Sequence, residues 1–261
     1  MSNAVEFDPG PPVAFAQHFA DVPDYAPFKD FFWYDWGPVF YRGRLDGSAR
    51  VLCIASDPGA TERVALRTLV GDAGQRVQGF LAKLGLTRSY LCLNAFAYAL
   101  IPSQSAGGDD VLDEPAHLAW RNALFDMAKG PQVQAIIAFG AQAQRAVAKW
   151  PGKAGTQVFK LPHPSSHDPQ VLANAWRAAI VTLRGIVTAD AGGNAAGSNY
   201  GAQLVEADYA VIPRRDLPFG VPTFMGDDRW LRAMAPPQFA SVSRPHPDDR
   251  HTLIWKAPKS N

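Results

Sequence analysis

Three polar residues with complementary chemistry come at the ends of short apolar runs. Asp57 follows the run VLCIAS, Asn94 closes the run YLCLN, and His163 lies just beyond the run TQVFK. A carboxylate, an amide and an imidazole that meet in one place can position a water molecule, read the polar edge of a ring and stabilise a leaving anion. These three residues are therefore the first candidates for a catalytic site.

Each of the three residues also has a purely structural explanation. Asp57 precedes a proline and is able to shape a turn, Asn94 is able to cap a chain end, and His163 stands between two prolines in a loop that it is able to brace. The structural explanation is sufficient for any one of them. Their joint occurrence at the ends of separate apolar runs favours a common site.

The elements that must position these residues follow an α/β pattern between Val51 and Ala189, where short apolar runs alternate with helical patterns. The predicted strands are Val51–Ser56, Tyr90–Asn94, Ala135–Phe139 and Thr156–Lys160, and the predicted helices cover 74–84, 115–128, 141–150 and 169–185. The predicted fold is a three-layer α/β/α sandwich with a central four-stranded, mainly parallel sheet. Ligands of such sheets bind at the carboxyl ends of the strands, where the three candidates fall.

The length of 261 residues fits one large domain or one domain plus an appendage. Residues 1–50 are aromatic and acidic, and we expect an N-terminal arm that packs on the core. Residues 51–189 form the predicted catalytic domain. Residues 190–261 begin with a segment of linker-like composition, and we expect the rest to be an extension packed on the core, with strands at Ala207–Ile212 and Thr252–Lys256.

The charge of the whole chain does not identify a partner. The 25 Lys and Arg residues against 24 Asp and Glu residues give a formal net charge of +1, which is not typical of a strongly basic nucleic-acid or membrane-surface protein. The balance differs locally, because residues 51–189 contain 13 basic and nine acidic residues. The positive charge is therefore concentrated in the predicted catalytic domain.

The positions of the two cysteines and the hydropathy of the chain indicate in which cellular compartment we expect the protein. Cys53 and Cys92 both lie inside apolar runs, where a thiol usually packs as a small hydrophobic group, and this use fits a reducing environment. No stretch approaches about 18 uncharged apolar residues, and the N-terminus lacks the pattern of a signal peptide. We expect a cytoplasmic protein with no membrane association.

Four motifs in the chain resemble the uracil-DNA glycosylase superfamily, over roughly residues 37–185. ASDPG at 55–59 is similar to the first motif of that superfamily, and LVGDAGQ at 69–75 to the segment that follows it in the iron-sulfur branches. CLNAF at 92–96 resembles the strand end that reads uracil, and HPSSHD at 163–168 resembles the last loop. Four motifs in this order, each at a strand end or helix start, form a specific signal.

The resemblance implies a monofunctional DNA repair glycosylase that flips uracil out of DNA, hydrolyses its N-glycosidic bond and leaves an abasic site. In that mechanism Asp57 orients the attacking water, His163 donates a hydrogen bond to uracil O2, and Asn94 reads the base. The other implied base-recognition residues are Ser56, Gly59, Leu69 and Phe96, and the implied DNA contacts are Ser165, Ser166 and His167. The implied partner is uracil-containing DNA, single- or double-stranded, and we expect a monomer.

The chain departs from the superfamily pattern at several positions. Gly59 stands where the uracil-specific branch has a tyrosine that obstructs the thymine methyl group, so thymine must be excluded by another residue or be excluded less strictly. Leu69 replaces the phenylalanine that stacks on the base in the iron-sulfur branches, which leaves stacking to Phe96 or to an aromatic residue of the N-terminal arm. His167 occupies the place of an intercalating leucine, although a solvated loop histidine has the same sequence pattern.

Cofactors and other substrates complete the expectations. The iron-sulfur branches use four cysteines, whereas this chain has two, so we predict no cluster, no metal and no other cofactor. With Gly59 in place of tyrosine, hypoxanthine or xanthine is an alternative base. A catalytically silent DNA-binding homologue and, outside the superfamily, a hydrolase of small nucleosides are further alternatives.

Overall fold

The computed structural model of the chain describes residues 6–34, 37–221, 241–243 and 254–256. The strands are β1 Phe32–Trp33, β2 Tyr41–Gly43, β3 Val51–Ala55, β4 Tyr90–Asn94, β5 Ala99–Leu100, β6 Ala135–Phe139, β7 Gln157–Leu161, β8 Ser241–Ser243 and β9 Ile254–Lys256. The α-helices are α1 Val13–Ala20, α2 Ala60–Ala65, α3 Asp72–Lys83, α4 Ser105–Gly108, α5 Pro115–Ala128, α6 Ala141–Ala148 and α7 Pro169–Leu183.

The central sheet has five strands in the order β2-β4-β3-β6-β7. The last four of these run parallel to one another, and β2 pairs antiparallel with β4 at one edge. The predicted α/β class and mainly parallel sheet are confirmed, but the count of four strands was wrong. Strand β2 was not predicted because it has only three residues and carries an arginine, Arg42, at its centre. It therefore lacks the apolar run that the other strands of the sheet have.

Alternate residues of the parallel strands point into two separate hydrophobic layers. Leu52 and Ile54 of β3 face the layer that contains residues of α5 and α6. Val51 and Cys53 face the layer that contains residues of α3 and α7. Because both faces are covered, every residue of β3, β4 and β6 is buried, which explains why these strands have continuous apolar sequences.

The N-terminal residues pack on the layer formed by α5. The ring of Phe19 in α1 stacks 4.4 Å from the ring of Phe40, and the indole Nε1 of Trp120 donates to the carbonyl of His18 at 2.8 Å. The short strand β1 pairs antiparallel with β5. Through that pairing, the aromatic stretch of the arm is bound next to the segment that follows Asn94.

The residues after 189 make specific contacts with the core. The carboxylate of Asp190 accepts three backbone N–H groups of residues 87–89, and Tyr200 is buried against Trp176. The strand predicted at Ala207–Ile212 was wrong, because that stretch holds only part of a 3₁₀ turn, Glu206–Asp208. The second predicted strand of this region was Thr252–Lys256. Its last three residues, Ile254–Lys256, form β9 and pair with β8, and residues 252–253 lie outside the described residues.

None of the helices in the described part of the chain is both long enough and apolar enough to cross a lipid bilayer.

Candidate active site

A polar cleft of about 400 Å³ opens beyond the carboxyl ends of β3 and β7. Its lining residues come from the segments that follow these two strands and from the start of α3: Ala55, Asp57, Gly59, Ala60, Thr61, Glu62, Leu69, Gly71, Asp72, Ala73, His163, Ser165 and His167. Parallel strands end at the same edge of a sheet, so residues distant in sequence meet there. The cleft volume is within the range of small-molecule and cofactor sites.

Asp57 enters the cleft from the loop after β3. Its Oδ2 accepts the backbone N–H of Leu100 at 2.9 Å, and Leu100 is itself held by the pairing of β5 with β1. The carboxylate therefore has a fixed orientation, which a side chain that must hold a water molecule in one place requires.

His163 enters the same cleft from the loop after β7. The backbone N–H of Ser165 donates to Nδ1 of the imidazole at 3.1 Å. A ring nitrogen that accepts a hydrogen bond carries no proton, so this contact assigns the hydrogen to Nε2. In the neutral ring, the N–H donor is therefore Nε2.

Gly140 leaves room for the His163 ring. This glycine lies between β6 and α6 with φ of +84°, and a Cβ at this position would lie 3.0 Å from Cδ2 of His163. A side chain here would combine left-handed backbone strain with a contact that moves the imidazole.

Asn94 ends β4 directly beside Ala55, the last residue of β3. The side chain is 6% exposed, its Nδ2 lies 3.5 Å from the carbonyl of Val39, and its Oδ1 has no hydrogen-bond partner among the described residues. A buried acceptor without a partner costs about 1–3 kcal/mol. Asn94 is next to the cleft rather than among its lining residues, and its Oδ1 is buried, so the structure does not bring Asn94 together with Asp57 and His163 in the cleft lining.

Glu62 lines the cleft although the sequence reasoning gave it no role. It lies in the first turn of α2, and its Oε1 accepts the backbone N–H groups of Val70 and Gly71, each at 2.8 Å. The other oxygen, Oε2, faces Gly59, where an added Cβ would lie 2.6 Å away. The available signal was that Glu62 ends the polar stretch SDPGATE after β3.

Leu69 lines the cleft in a strained backbone conformation. Its φ is +55°, a left-handed region that branched apolar residues rarely adopt, and its side chain is buried. The hydrogen bonds from Val70 and Gly71 to Glu62 hold the chain just after it. Strain of this kind persists where surrounding contacts fix it, and it concentrates at functional sites.

Two predicted base-recognition residues, Ser56 and Phe96, are not among the residues that line the cleft. Ser56 is buried, and its carbonyl accepts the N–H of Phe96 at 2.9 Å. Phe96 is fully buried, and its ring centre lies 5.4 Å from that of Phe32 in the core layer. The structure therefore does not bring Phe96 together with Asp57 and His163 in the cleft lining.

The three predicted DNA contacts follow His163 in one loop. Ser165 and His167 line the cleft. Ser166 lines a second cavity of about 410 Å³, and Ser165, His167 and Arg76 also line that cavity. The guanidinium of Arg76 donates to the carbonyl of Pro164 at 2.7 Å and pairs with Asp72. Arg76 therefore links α3 to the histidine loop.

The cysteines do not fit an iron-sulfur cluster. Cys53 and Cys92 are fully buried neighbours on β3 and β4, and Nη2 of Arg42 donates to Sγ of Cys92 at 3.6 Å. The pKa of the Cys53 thiol is raised. The larger cause is its hydrogen bond with Cys92, and the second is burial. Within residues 6–34 and 37–221, no group of three or more His, Cys, Asp or Glu side chains is placed to hold a metal ion.

The fold and the cleft define an α/β sandwich with an acid and an imidazole at the carboxyl ends of its parallel strands. The family model described as the uracil DNA glycosylase superfamily matches residues 42–178, more than half of the chain, and the chain belongs to this superfamily. The superfamily resemblance of the sequence is thus confirmed. Proteins of this superfamily are DNA glycosylases, hydrolases that act on DNA in repair. A search of curated proteins found no match.

Proposed function

We propose that this protein is a monofunctional uracil-DNA glycosylase. It hydrolyses the bond between deoxyribose C1′ and N1 of a flipped uracil and leaves an abasic site. The observation that carries the proposal is that Asp57 and His163, about 100 residues apart in sequence, line one cleft. Membership of the superfamily supports the same conclusion.

Asp57 acts on the sugar side of the bond. Cleavage builds positive charge on the deoxyribose, and a carboxylate beside C1′ stabilises that charge. The hydrogen bond from Leu100 fixes the carboxylate, so that it holds a water molecule below C1′. The water oxygen bonds to C1′ as the C1′–N1 bond breaks, and the proton that the water loses passes to the carboxylate of Asp57.

His163 acts on the leaving base. The electron pair of the broken bond moves into the uracil ring, so O2 becomes more negative in the transition state. The Nε2–H group, which is assigned by the donation of Ser165 to Nδ1, supplies a hydrogen bond to that oxygen. Because the donor is already oriented in the free protein, little reorganisation is needed during the reaction.

Asn94 reads the base. Its Oδ1, which lacks a partner in the described structure, accepts the N3–H of uracil, and its Nδ2 donates to O4. Cytosine presents the opposite pattern at these two atoms, so each mispaired group costs about 1–3 kcal/mol. Leu69 forms the apolar wall of the pocket, and Ser165, Ser166 and His167 contact the DNA beside the flipped nucleotide.

Base release from a uracil-containing oligonucleotide, measured with and without a metal chelator, tests this proposal. We expect release of free uracil in both conditions, and Asp57→Asn to slow it by orders of magnitude while DNA binding persists. Asp72→Asn is the matched control, because it makes the same change at another carboxylate on the cleft. No uracil release by the wild-type protein, or equal rates for Asp57→Asn and wild type, would refute the proposal.

The same assay separates the alternative functions. Release of hypoxanthine or xanthine from DNA in preference to uracil would identify a glycosylase for other deaminated bases. DNA binding without release of any base would identify a catalytically silent homologue, and hydrolysis of free deoxyuridine would identify a nucleoside hydrolase. We further propose that the protein acts as a cytoplasmic monomer, which gel filtration and cell fractionation test.

A further inference from the structure

The second cavity, of about 410 Å³, adjoins the cleft. The cavity and the cleft share three lining residues, Asp72, Ser165 and His167. The proposed mechanism places the flipped uracil in the cleft and assigns no occupant to the second cavity. A ligand that fills the cleft and extends past the loop after His163 therefore reaches this cavity next.

One wall of the second cavity comes from the extension after residue 189. Leu204 and Tyr209 form this wall. Both lie outside residues 42–178, the part of the chain that matches the superfamily model. The second cavity is therefore completed by residues to which the superfamily match assigns no role.

Backbone contacts fix this wall on the core. The N–H of Leu204 donates to the carbonyl of Pro169 at the start of α7, and the N–H of Ala210 donates to the carbonyl of Gln75 in α3, each at 3.0 Å. The extension approaches α3 so closely that an added Cβ at Gly79 would lie 1.8 Å from a backbone carbonyl oxygen of the extension. The wall is preorganised, so little ordering is needed when a ligand binds.

The charge of the second cavity does not favour a phosphate group. Its arginine, Arg76, pairs with Asp72 at 2.9 Å and donates to the carbonyl of Pro164 at 2.7 Å. The same guanidinium lies 5.2 Å from the centre of the Tyr209 ring. A phosphate would have to compete with the Asp72 carboxylate for this cation.

The remaining lining fits the ring of a nucleobase. Tyr209 and Leu204 supply aromatic and aliphatic surface, and the hydroxyl groups of Ser165 and Ser166 supply donors and acceptors. A base has the same combination, with apolar faces and a polar edge, and unpaired bases stack on aromatic side chains without strong sequence preference.

We propose that the second cavity binds the base of a nucleotide adjacent to the uracil in the same DNA strand, with the ring of Tyr209 packed against it; this inference rests on the proposed function. Ser165 and His167 line both the cleft and the cavity, so a strand whose uracil occupies the cleft carries its neighbouring nucleotide to the cavity. A base bound there cannot remain paired, so the cavity favours single-stranded DNA over duplex.

Binding of single-stranded oligonucleotides tests the inference, with Asp57→Asn present in every protein to prevent turnover. Three oligonucleotides contain uracil with both neighbouring bases intact, with the 5′ neighbour replaced by a stable abasic analogue, or with the 3′ neighbour replaced in the same way. We expect the Kd to rise about fivefold or more for one of the two abasic oligonucleotides, the lower end of the range for one base stacked on an aromatic side chain.

Variants of Tyr209 connect this effect to the cavity. Tyr209→Ala should raise the Kd of the intact oligonucleotide about fivefold or more and make it insensitive to removal of the neighbouring base. Tyr209→Phe keeps the ring and should retain the original Kd values. Phe219→Ala is the matched control, because it removes an exposed aromatic ring of the same extension that lines neither the cleft nor the second cavity.

Different outcomes separate this inference from the proposed function. Equal Kd values for the three oligonucleotides, or an unchanged dependence on the neighbouring base in Tyr209→Ala, would overturn the inference alone. No uracil release by the wild-type protein would overturn both. The comparison of the three oligonucleotides needs no substitution at Tyr209, so it still decides the question if Tyr209→Ala does not fold.

Discussion

The backbone N–H of Ser165 donates to Nδ1 of His163 at 3.1 Å. The two residues are separated only by Pro164, which has no N–H group and whose carbonyl is bound by Arg76. A second contact, from the N–H of Ser166 to the carbonyl of His163 at 2.9 Å, closes the turn. The HPSS sequence thus fixes both the ring orientation and the tautomer of its own histidine.

This contact predicts the protonation pattern of the His163 ring. Long-range ¹H–¹⁵N correlation spectra of the protein should show an unprotonated Nδ1 and a protonated Nε2 in the neutral form of the His163 ring. The signal is assigned by its loss in His163→Gln. A protonated Nδ1 in the neutral ring would contradict the role of Nε2–H as the donor to the base.

Removal of the His163 donor should slow base release without abolishing DNA binding. His163→Ala should lower the single-turnover rate by about 10²–10³-fold, the usual effect of losing one donor to a developing anion. His163→Gln should lose less, because its amide retains an N–H donor. Similar Kd values for uracil-containing DNA in all three proteins are expected, and a near-normal rate in His163→Ala would contradict the assignment.

Substitution of Asn94 should affect catalysis far more than folding. Within the described part of the chain, Oδ1 of Asn94 makes no hydrogen bond, and Nδ2 makes one long hydrogen bond of 3.5 Å to the carbonyl of Val39. We expect Asn94→Ala to change the free energy of unfolding by no more than about 1 kcal/mol, while uracil release falls by about tenfold or more. Urea unfolding and base release measure the two effects, and a large stability loss with normal activity would oppose the proposed role.

The extension after residue 189 should be needed for stability because its Asp216 neutralises the buried side chain of Arg42. Asp216 is fully buried and accepts from Arg42 at 3.0 Å and from the Tyr90 hydroxyl at 2.7 Å, and it also pairs with Arg44. Asp216→Ala leaves the fully buried guanidinium of Arg42 without its counter-charge, a change that costs about 3–5 kcal/mol.

Chemical denaturation measures this loss for Asp216→Ala. Glu6→Gln is the control, since Glu6 forms an exposed pair with Arg88 at 3.7 Å. A surface pair of this kind contributes no more than about 1 kcal/mol. Equal losses in the two variants would show that the Asp216 network does not hold the extension on the core.

Asp190 should make the free energy of unfolding depend on pH in the acid range. Burial alone would raise the pKa of its carboxyl group, but hydrogen bonds from Ser89, Arg88 and Thr87 outweigh burial and lower the pKa from 3.8 to about 2. The folded state therefore favours the carboxylate, which contributes stability above the unfolded pKa and loses it as pH falls toward the folded value.

Comparison of the wild-type protein with Asp190→Asn isolates this contribution. The wild type should be more stable by about 2 kcal/mol near pH 6, and the difference should shrink between about pH 4 and pH 2. Urea unfolding at several pH values measures it. A difference that stays constant across this range would show that the Asp190 hydrogen bonds do not favour the charged form.

The sequence predicted the parallel strands because each is buried on both faces and must therefore be apolar throughout. Three strands were placed to within one residue at either end, and β7 was shifted by one. The edge strand β2 was missed because it carries Arg42 at its centre, whose charge is balanced by Asp216, 174 residues away in sequence. A local pattern contains no information about such a distant partner.

The sequence by itself determined the fold class, the superfamily and the segments that carry Asp57, Asn94 and His163, because these depend on local apolar patterns and short motifs. Only the tertiary structure decided which of these side chains meet in the cleft, which tautomer His163 adopts, and that Glu62 forms the wall beside Gly59. Those features depend on contacts between elements far apart in the chain, where backbone N–H groups and packing fix the orientation of side chains whose identities alone leave it open.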